Sequence, residues 1–148
     1  MMDMKLEVVV LPVSDVDRAK HFYEKLGFRL DIDLVVSEDF RVVQFTPPGS
    51  KASIHIGKGI TPAAPGSLQN VYLVVFDIEE ARADLVSRGI DVSEVSTAPG
   101  GRCQARIRNV AHTSRTPPSV IRTATPGCCR KSRNGFLAGP QVNSSMLR

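Results

Sequence analysis

The chain has 148 residues but no tryptophan, only two tyrosines and three cysteines, and it carries no acidic residue after Gly100. Each shortage excludes something. Cys103, Cys128 and Cys129 all lie in the second part, and the adjacent pair lacks the C-x-x-C spacing of a zinc knuckle or a redox motif. The cysteine-free residues 1–99 suit a reducing compartment. No apolar run approaches the length of a membrane span. The start, "MMDMKLEVVVLPVSD", has neither the apolar core nor the small-residue cleavage site of a secretory signal. Together these absences predict a cytoplasmic protein with no membrane attachment.

Charge divides the chain at Gly100. Residues 1–99 hold 10 Lys/Arg against 15 Asp/Glu, a net of −5, whereas residues 100–148 hold 9 Lys/Arg and no acid, a net of +9. The overall value of +4 describes neither part. Residues 1–99 therefore form the predicted domain, and 100–148 a basic, irregular and disordered tail. Pro117, Pro118, Pro126 and Pro140 interrupt that tail, and its isolated apolar residues follow neither helical nor strand period. Its cysteines are expected to be exposed thiols. A short strand around Ser119–Ile121 could form locally, but no sheet pairing is expected there.

The first part is patterned throughout. "KLEVVVLPV" (5–13) is rich in β-branched residues and reads as a buried strand. Ser14 with Asp17 resembles a capping box, and Val16, Ala19, Phe22, Tyr23 and Leu26 share one helical face before Gly27 ends the helix. "FRLDIDLV" (28–35) alternates and predicts a half-buried strand, with Phe28, Leu30, Ile32 and Leu34 inward. "FRVVQFT" (40–46) and "ASIHIG" (52–57) add two strands around the turn "PPGS". A Pro/Gly-rich connector follows, and the pattern restarts: a strand at 70–76, a helix at 78–88 capped by Asp77 and stopped by Gly89, and a strand at 90–95.

The restart is an internal repeat at an offset of 62. Leu11, Val13, Asp15, Val16, Ala19, Gly27, Phe28 and Leu30 correspond to Leu73, Val75, Asp77, Ile78, Ala81, Gly89, Ile90 and Val92. The fold class is therefore α+β, built from two βαβββ modules, one at 5–57 and an incomplete one at 70–95.

The phrase "LPVSDVDRAKHFYEKLGF" resembles the first strand–helix signature of the vicinal oxygen chelate superfamily, V-x-D-x-x-[RK]-[AS]-x-x-F-Y-x-x-x-L-G-F. That superfamily includes glyoxalase I, bleomycin-resistance proteins, fosfomycin-resistance enzymes and extradiol dioxygenases. The resemblance covers residues 5 to about 95. It implies a cavity on the concave side of the sheets and, for an intact version, a homodimer. In metal-using relatives four positions supply ligands. The resemblance places the first at Val8, the second in the strand of His55, the third at Asn70, and the fourth in a final strand that cannot be read here. Valine cannot ligate, and asparagine is a poor ligand for Zn, Ni, Mn or Fe. His55 is the single metal candidate, and one histidine is not a site. Strand alternation turns His55 to the face opposite Ala52, Ile54 and Ile56, toward the implied cavity with Val8, Val10, Asn70 and Tyr72. An unliganded histidine in a partly wet groove fits His55 equally well. No catalytic residue can be assigned. His21 falls off the apolar stripe of its helix and is expected to be solvated.

The final strand of the family follows a D-P-D-G-N motif. Read one base out of frame, the codons of "SVIRTATPGCCRK" (119–131) permit F-S-D-P-D-G-N-P-W-L-L-Q-E, and those of Ala105–Thr113 permit G-P-D-P-E-R-R-S-Y. This implies a frame change between about Val95 and Ala105. Four readings follow as expectations. The leading one is a small-molecule binding protein of the bleomycin-resistance type, with no cofactor. The alternatives are a metal-dependent lyase or dioxygenase with a non-standard site, or a non-functional frame-shifted product. A nucleic-acid binder acting through the basic tail ranks last, because the tail carries no recognition motif.

Overall fold

The computed structural model describes residues 2–68, 71–108 and 119–124. Ten elements occur there. The first module comprises β1 (Val8–Val10), α1 (Val16–Lys25), β2 (Arg29–Ser37), β3 (Phe40–Thr46) and β4 (Ser53–Lys58). The second comprises β5 (Tyr72–Val75), α2 (Ile78–Ser87), β6 (Ser96–Thr97), β7 (Cys103–Ile107) and β8 (Ser119–Thr123). Each module folds its strands into one four-stranded sheet, with orders β1-β4-β3-β2 and β5-β8-β7-β6. In both, the first and last strands are parallel and the other pairs antiparallel. The two βαβββ units predicted from the repeat are therefore present, and the second is reduced, with a β6 of only two residues.

The repeat explains the helices. Asp15 caps α1 by accepting from the Arg18 N–H at 2.9 Å, and Asp77, its repeat partner, caps α2 by accepting from Glu79 and Glu80 N–H. The α1 cap is thus Asp15 and not Ser14, a one-residue correction. Gly27 and Gly89 both adopt positive φ, 82° and 73°, which a side chain would resist. Each helix lays its apolar stripe on its own sheet. Ala19, Phe22, Tyr23 and Leu26 meet Val43, Phe45, Ile54 and Ile56, while Ile78 and Leu85 meet Cys103, Ala105, Ile107 and Ile121, and all belong to one core cluster. Tyr23 is its aromatic centre, with ring centroids 5.3 Å from Phe22, 5.5 Å from Phe28 and 5.8 Å from Phe45.

Three expectations are corrected. First, β2 is not half-buried: Leu30, Ile32 and Leu34 are 39%, 47% and 51% exposed. The strand is the edge of its sheet, and a bulge between Leu30 and Ile32 breaks the strict alternation. Second, residues 90–95 do not form a regular strand. Val92 bridges Ile107, but the register slips before Ser96 pairs with Gln104. The Ser93 hydroxyl fills the gap by accepting from the Arg106 N–H at 2.9 Å. Third, the irregular tail is not irregular at Cys103–Ile107 or Ser119–Thr123, which pair with each other, and β8 pairs with β5. Cys103 is fully buried and disulfide-bonded, not an exposed thiol. Cys128 and Cys129 lie outside the described residues. Among the described residues no helix is long and apolar enough to cross a membrane.

One charged cluster ties α1 to the sheet edge. Asp33 of β2 accepts from Lys20 of α1 at 2.8 Å and from Arg41 of β3 at 2.9 Å, and Arg41 also donates to Asp17 of α1 at 2.8 Å. Hydrogen bonds from Arg41 and then Lys20 hold the Asp33 carboxyl far below the usual carboxylate range. A depressed folded-state value contributes stability above the unfolded value of about 4, and that contribution is lost as pH falls toward the folded one. The melting temperature is therefore expected to drop as pH is lowered from about 5 to 2, and Asp33→Asn should flatten that profile. Calorimetry of the two proteins across this range is the check.

Candidate functional site

The ligand-facing candidates are set by β4. Its residues alternate, with Ile54 and Ile56 in the core and Ser53 and His55 half-buried on the opposite face. Register carries that face across the sheet. Val8 pairs with Ser53, Val10 and Gln44 both pair with His55, and Ile32 pairs with Gln44. The structure therefore brings Val8, Val10 and His55 together on the side of the sheet away from α1. On the second sheet Tyr72 is half-exposed and pairs with Val120, on the face opposite the core residues Leu73 and Ile121. Asn70 lies outside the described residues.

A polar network that the sequence reading missed surrounds His55. Its Nε2 lies 2.8 Å from Gln44 Oε1. The Gln44 amide faces Asp31 Oδ2 at 3.4 Å and Ser53 Oγ at 3.5 Å. Thr46 Oγ1 lies 2.7 Å from Ser53 Oγ and donates to Asp31. Arg29 Nε donates to Asp31 Oδ1 at 2.6 Å. The hydrogen bond from Thr46, followed by that from Arg29, lowers the Asp31 carboxyl below its ordinary value. The signal for this network was the polar residue breaking the apolar run of "FRVVQFT", at Gln44. Asp31 could not be placed from sequence, because the bulge turns it to a face that strict alternation denies it.

This geometry decides what His55 can hold. Gln44 presents its oxygen to the imidazole, because its NH2 is directed at Asp31 and Ser53. With Nε2 bonded to Gln44, only Nδ1 of the imidazole is left to face another partner. Val8 offers a hydrocarbon where a first ligand would stand. Among the described residues no group of three or more His, Cys, Asp or Glu could hold an ion. The described residues around His55 include no such set. They fit a shallow surface with an apolar flank (Val8, Val10, Ile32) beside a row of donors and acceptors (His55, Gln44, Ser53, Thr46).

The second sheet contributes a different surface. The Arg122 guanidinium carbon sits 3.8 Å from the centre of the Tyr72 ring. Arg122 Nε is buried with no hydrogen-bond partner, the one such side-chain atom among the described residues. His21 is exposed on α1, as its place off the stripe predicts.

The profile of the Glyoxalase/Bleomycin resistance protein/Dioxygenase superfamily matches residues 5–108. Among solved structures, TnmS3, an antibiotic binding protein from Streptomyces sp. CB03234, is 29% identical, with a TM-score of 0.66 over 85% of this chain and 98% of its own. A glyoxalase/bleomycin resistance protein from the same organism is also 29% identical, with a TM-score of 0.61 over 80% of this chain and 98% of its own. A superfamily member from Sphaerobacter thermophilus DSM 20745 shares the fold at 23% identity, with a TM-score of 0.64 over 83% and 98%. A search of curated proteins finds no match.

If His55 and Gln44 form a bonded pair, their substitutions must be non-additive. A double-mutant cycle of His55→Ala and Gln44→Ala, read by urea unfolding, should give a coupling of about 0.5–1.5 kcal/mol. Strict additivity would mean the two side chains do not interact in solution.

Proposed function

Because the chain belongs to the Glyoxalase/Bleomycin resistance protein/Dioxygenase superfamily, whose fold binds small molecules, we propose that it holds a small organic ligand on the faces of Val8, Val10, His55 and Tyr72 without metal chemistry. The observation that carries this reading is the commitment of His55 Nε2 to Gln44 beside a valine in place of a first ligand. A face so composed offers apolar contact on one side and orienting hydrogen bonds on the other, which is what non-covalent capture of a polar natural product requires. The antibiotic-binding relative at 29% identity points the same way. In this reading His55 and Gln44 orient the ligand, the valines and Tyr72 supply apolar contact, and no bond is made or broken. We place the protein in the cytoplasm and expect it to work as a homodimer.

The test is equilibrium titration with natural-product antibiotics, bleomycin included, alongside elemental analysis of the purified protein. Saturable binding is expected, with recovery of unaltered ligand and loss of about tenfold in affinity on His55→Ala. Zn, Mn, Ni or Fe bound in stoichiometric amount and lost in His55→Ala would establish the metal-dependent alternative instead.

A second reading, a frame-shifted product without function, is favoured by two observations. The family match stops at residue 108, before β8. In addition, β8 buries an arginine nitrogen with no hydrogen-bond partner among the described residues. Sequencing the gene around codons 95–105 checks it. A restored-frame protein should melt higher than this chain, and an equal or lower midpoint would remove the reading.

A further inference from the structure

A cleft of about 500 Å³ opens between the two modules, away from the His55 network. One wall is module one: Leu26 and Phe28 at the end of α1, and the β3–β4 turn with Pro48. The other is module two: β5 with Ala81 and Leu85 of α2. Its volume lies in the range of small-molecule sites. Asp84, on the lining, is already neutralised by Arg88 at 2.7 Å, so the cleft does not demand a cation.

The edge of β5 gives this hollow a specificity. Among the described residues β5 ends the order of its sheet and pairs only with β8. The Val120 N–H donates to the Val71 carbonyl at 2.9 Å, and Tyr72 and Val74 are the Cα partners of Val120 and Arg122. In a parallel ladder the residues bonded to the neighbouring strand alternate. Residues 71, 73 and 75 therefore face β8, while Tyr72 and Val74 turn their main-chain N–H and C=O groups to the open edge. Both line the cleft, and no described residue pairs with these groups. Main-chain groups left open beside apolar walls select a ligand that supplies both kinds of contact.

We propose that the inter-module cleft is a second ligand site, which takes a small apolar molecule bearing an amide or an equivalent neighbouring donor and acceptor. The ring system fills the space between Phe28, Pro48 and Leu85, and the amide pairs with the main chain of Val74. Tyr72 is shared with the proposed concave face, but the cleft does not depend on that face binding anything.

The probe is N-(2-naphthyl)acetamide, a fluorescent neutral amide, with 2-ethylnaphthalene as the comparator that lacks the amide. The probe should bind the full chain saturably with one-to-one stoichiometry. Ala81→Trp, which fills the cleft, should weaken it at least tenfold. Val74→Pro removes an N–H that lies outside the ladder, so the strand tolerates it. That variant should weaken the amide by roughly three- to tenfold and leave 2-ethylnaphthalene unchanged. His55→Ala should leave the probe unaffected, which separates this site from the concave face. Circular dichroism checks each fold. If Ala81→Trp is unfolded, Pro48→Glu on the exposed turn replaces it, with the same weakening expected. Absence of saturable binding, unchanged affinity in the cleft variants, or loss in His55→Ala would each overturn the proposal.

Discussion

Both modules depend on one contact, the parallel pairing of their first strand with their last. β1 and β4 are separated by α1, β2 and β3, so their pairing closes a long loop and brings Val8 and Val10 beside Ser53 and His55. The β5–β8 pairing does the same for Tyr72, Val120 and Arg122. Without this closure neither sheet would have a face made from both ends of its module. Among the described residues it also leaves β1 and β5 with one open edge each. The same geometry that assembles the face therefore produces the free main-chain groups beside the cleft.

The first module was legible because its signals agree. The cap, the apolar stripe, the terminating glycine and the alternation of "ASIHIG" all specify the same element order, and the repeat doubles the evidence. What stayed hidden there was the environment of β2, whose apolar residues lie on a sheet edge that sequence does not reveal. The Asp31 bulge was equally invisible, because it depends on pairing with Thr46 and Gln44 across β3.

The second module was harder for a physical reason. "CQARI" does alternate, with Cys103, Ala105 and Ile107 buried and Gln104 and Arg106 turned away. However, its inward residues include a cysteine and an alanine, which carry little hydrophobic signal, and the surrounding arginines mask the period. "SVIRT" is a five-residue strand with an arginine at its fourth position and no partner visible in the local sequence. Its pairing with β5 is non-local, and non-local pairing is what a composition-based reading of a basic tail cannot see. The candidate site shows the same division. His55 followed from alternation alone, whereas Gln44, Ser53 and Thr46 became a network only once three strands were in register.

Gly57 limits how the row of β4 that carries His55 can change. A Cβ at that position would collide with the main-chain carbonyl of Arg41 on the neighbouring strand, and a backbone atom in a paired strand has little room to yield. Of the three alternating positions on that face, 53 and 55 are open to new side chains and 57 is closed to all but glycine. Diversification of this surface is therefore confined to one end of the strand, nearest Val8 and Val10, while the other end keeps the smooth floor that a missing side chain leaves.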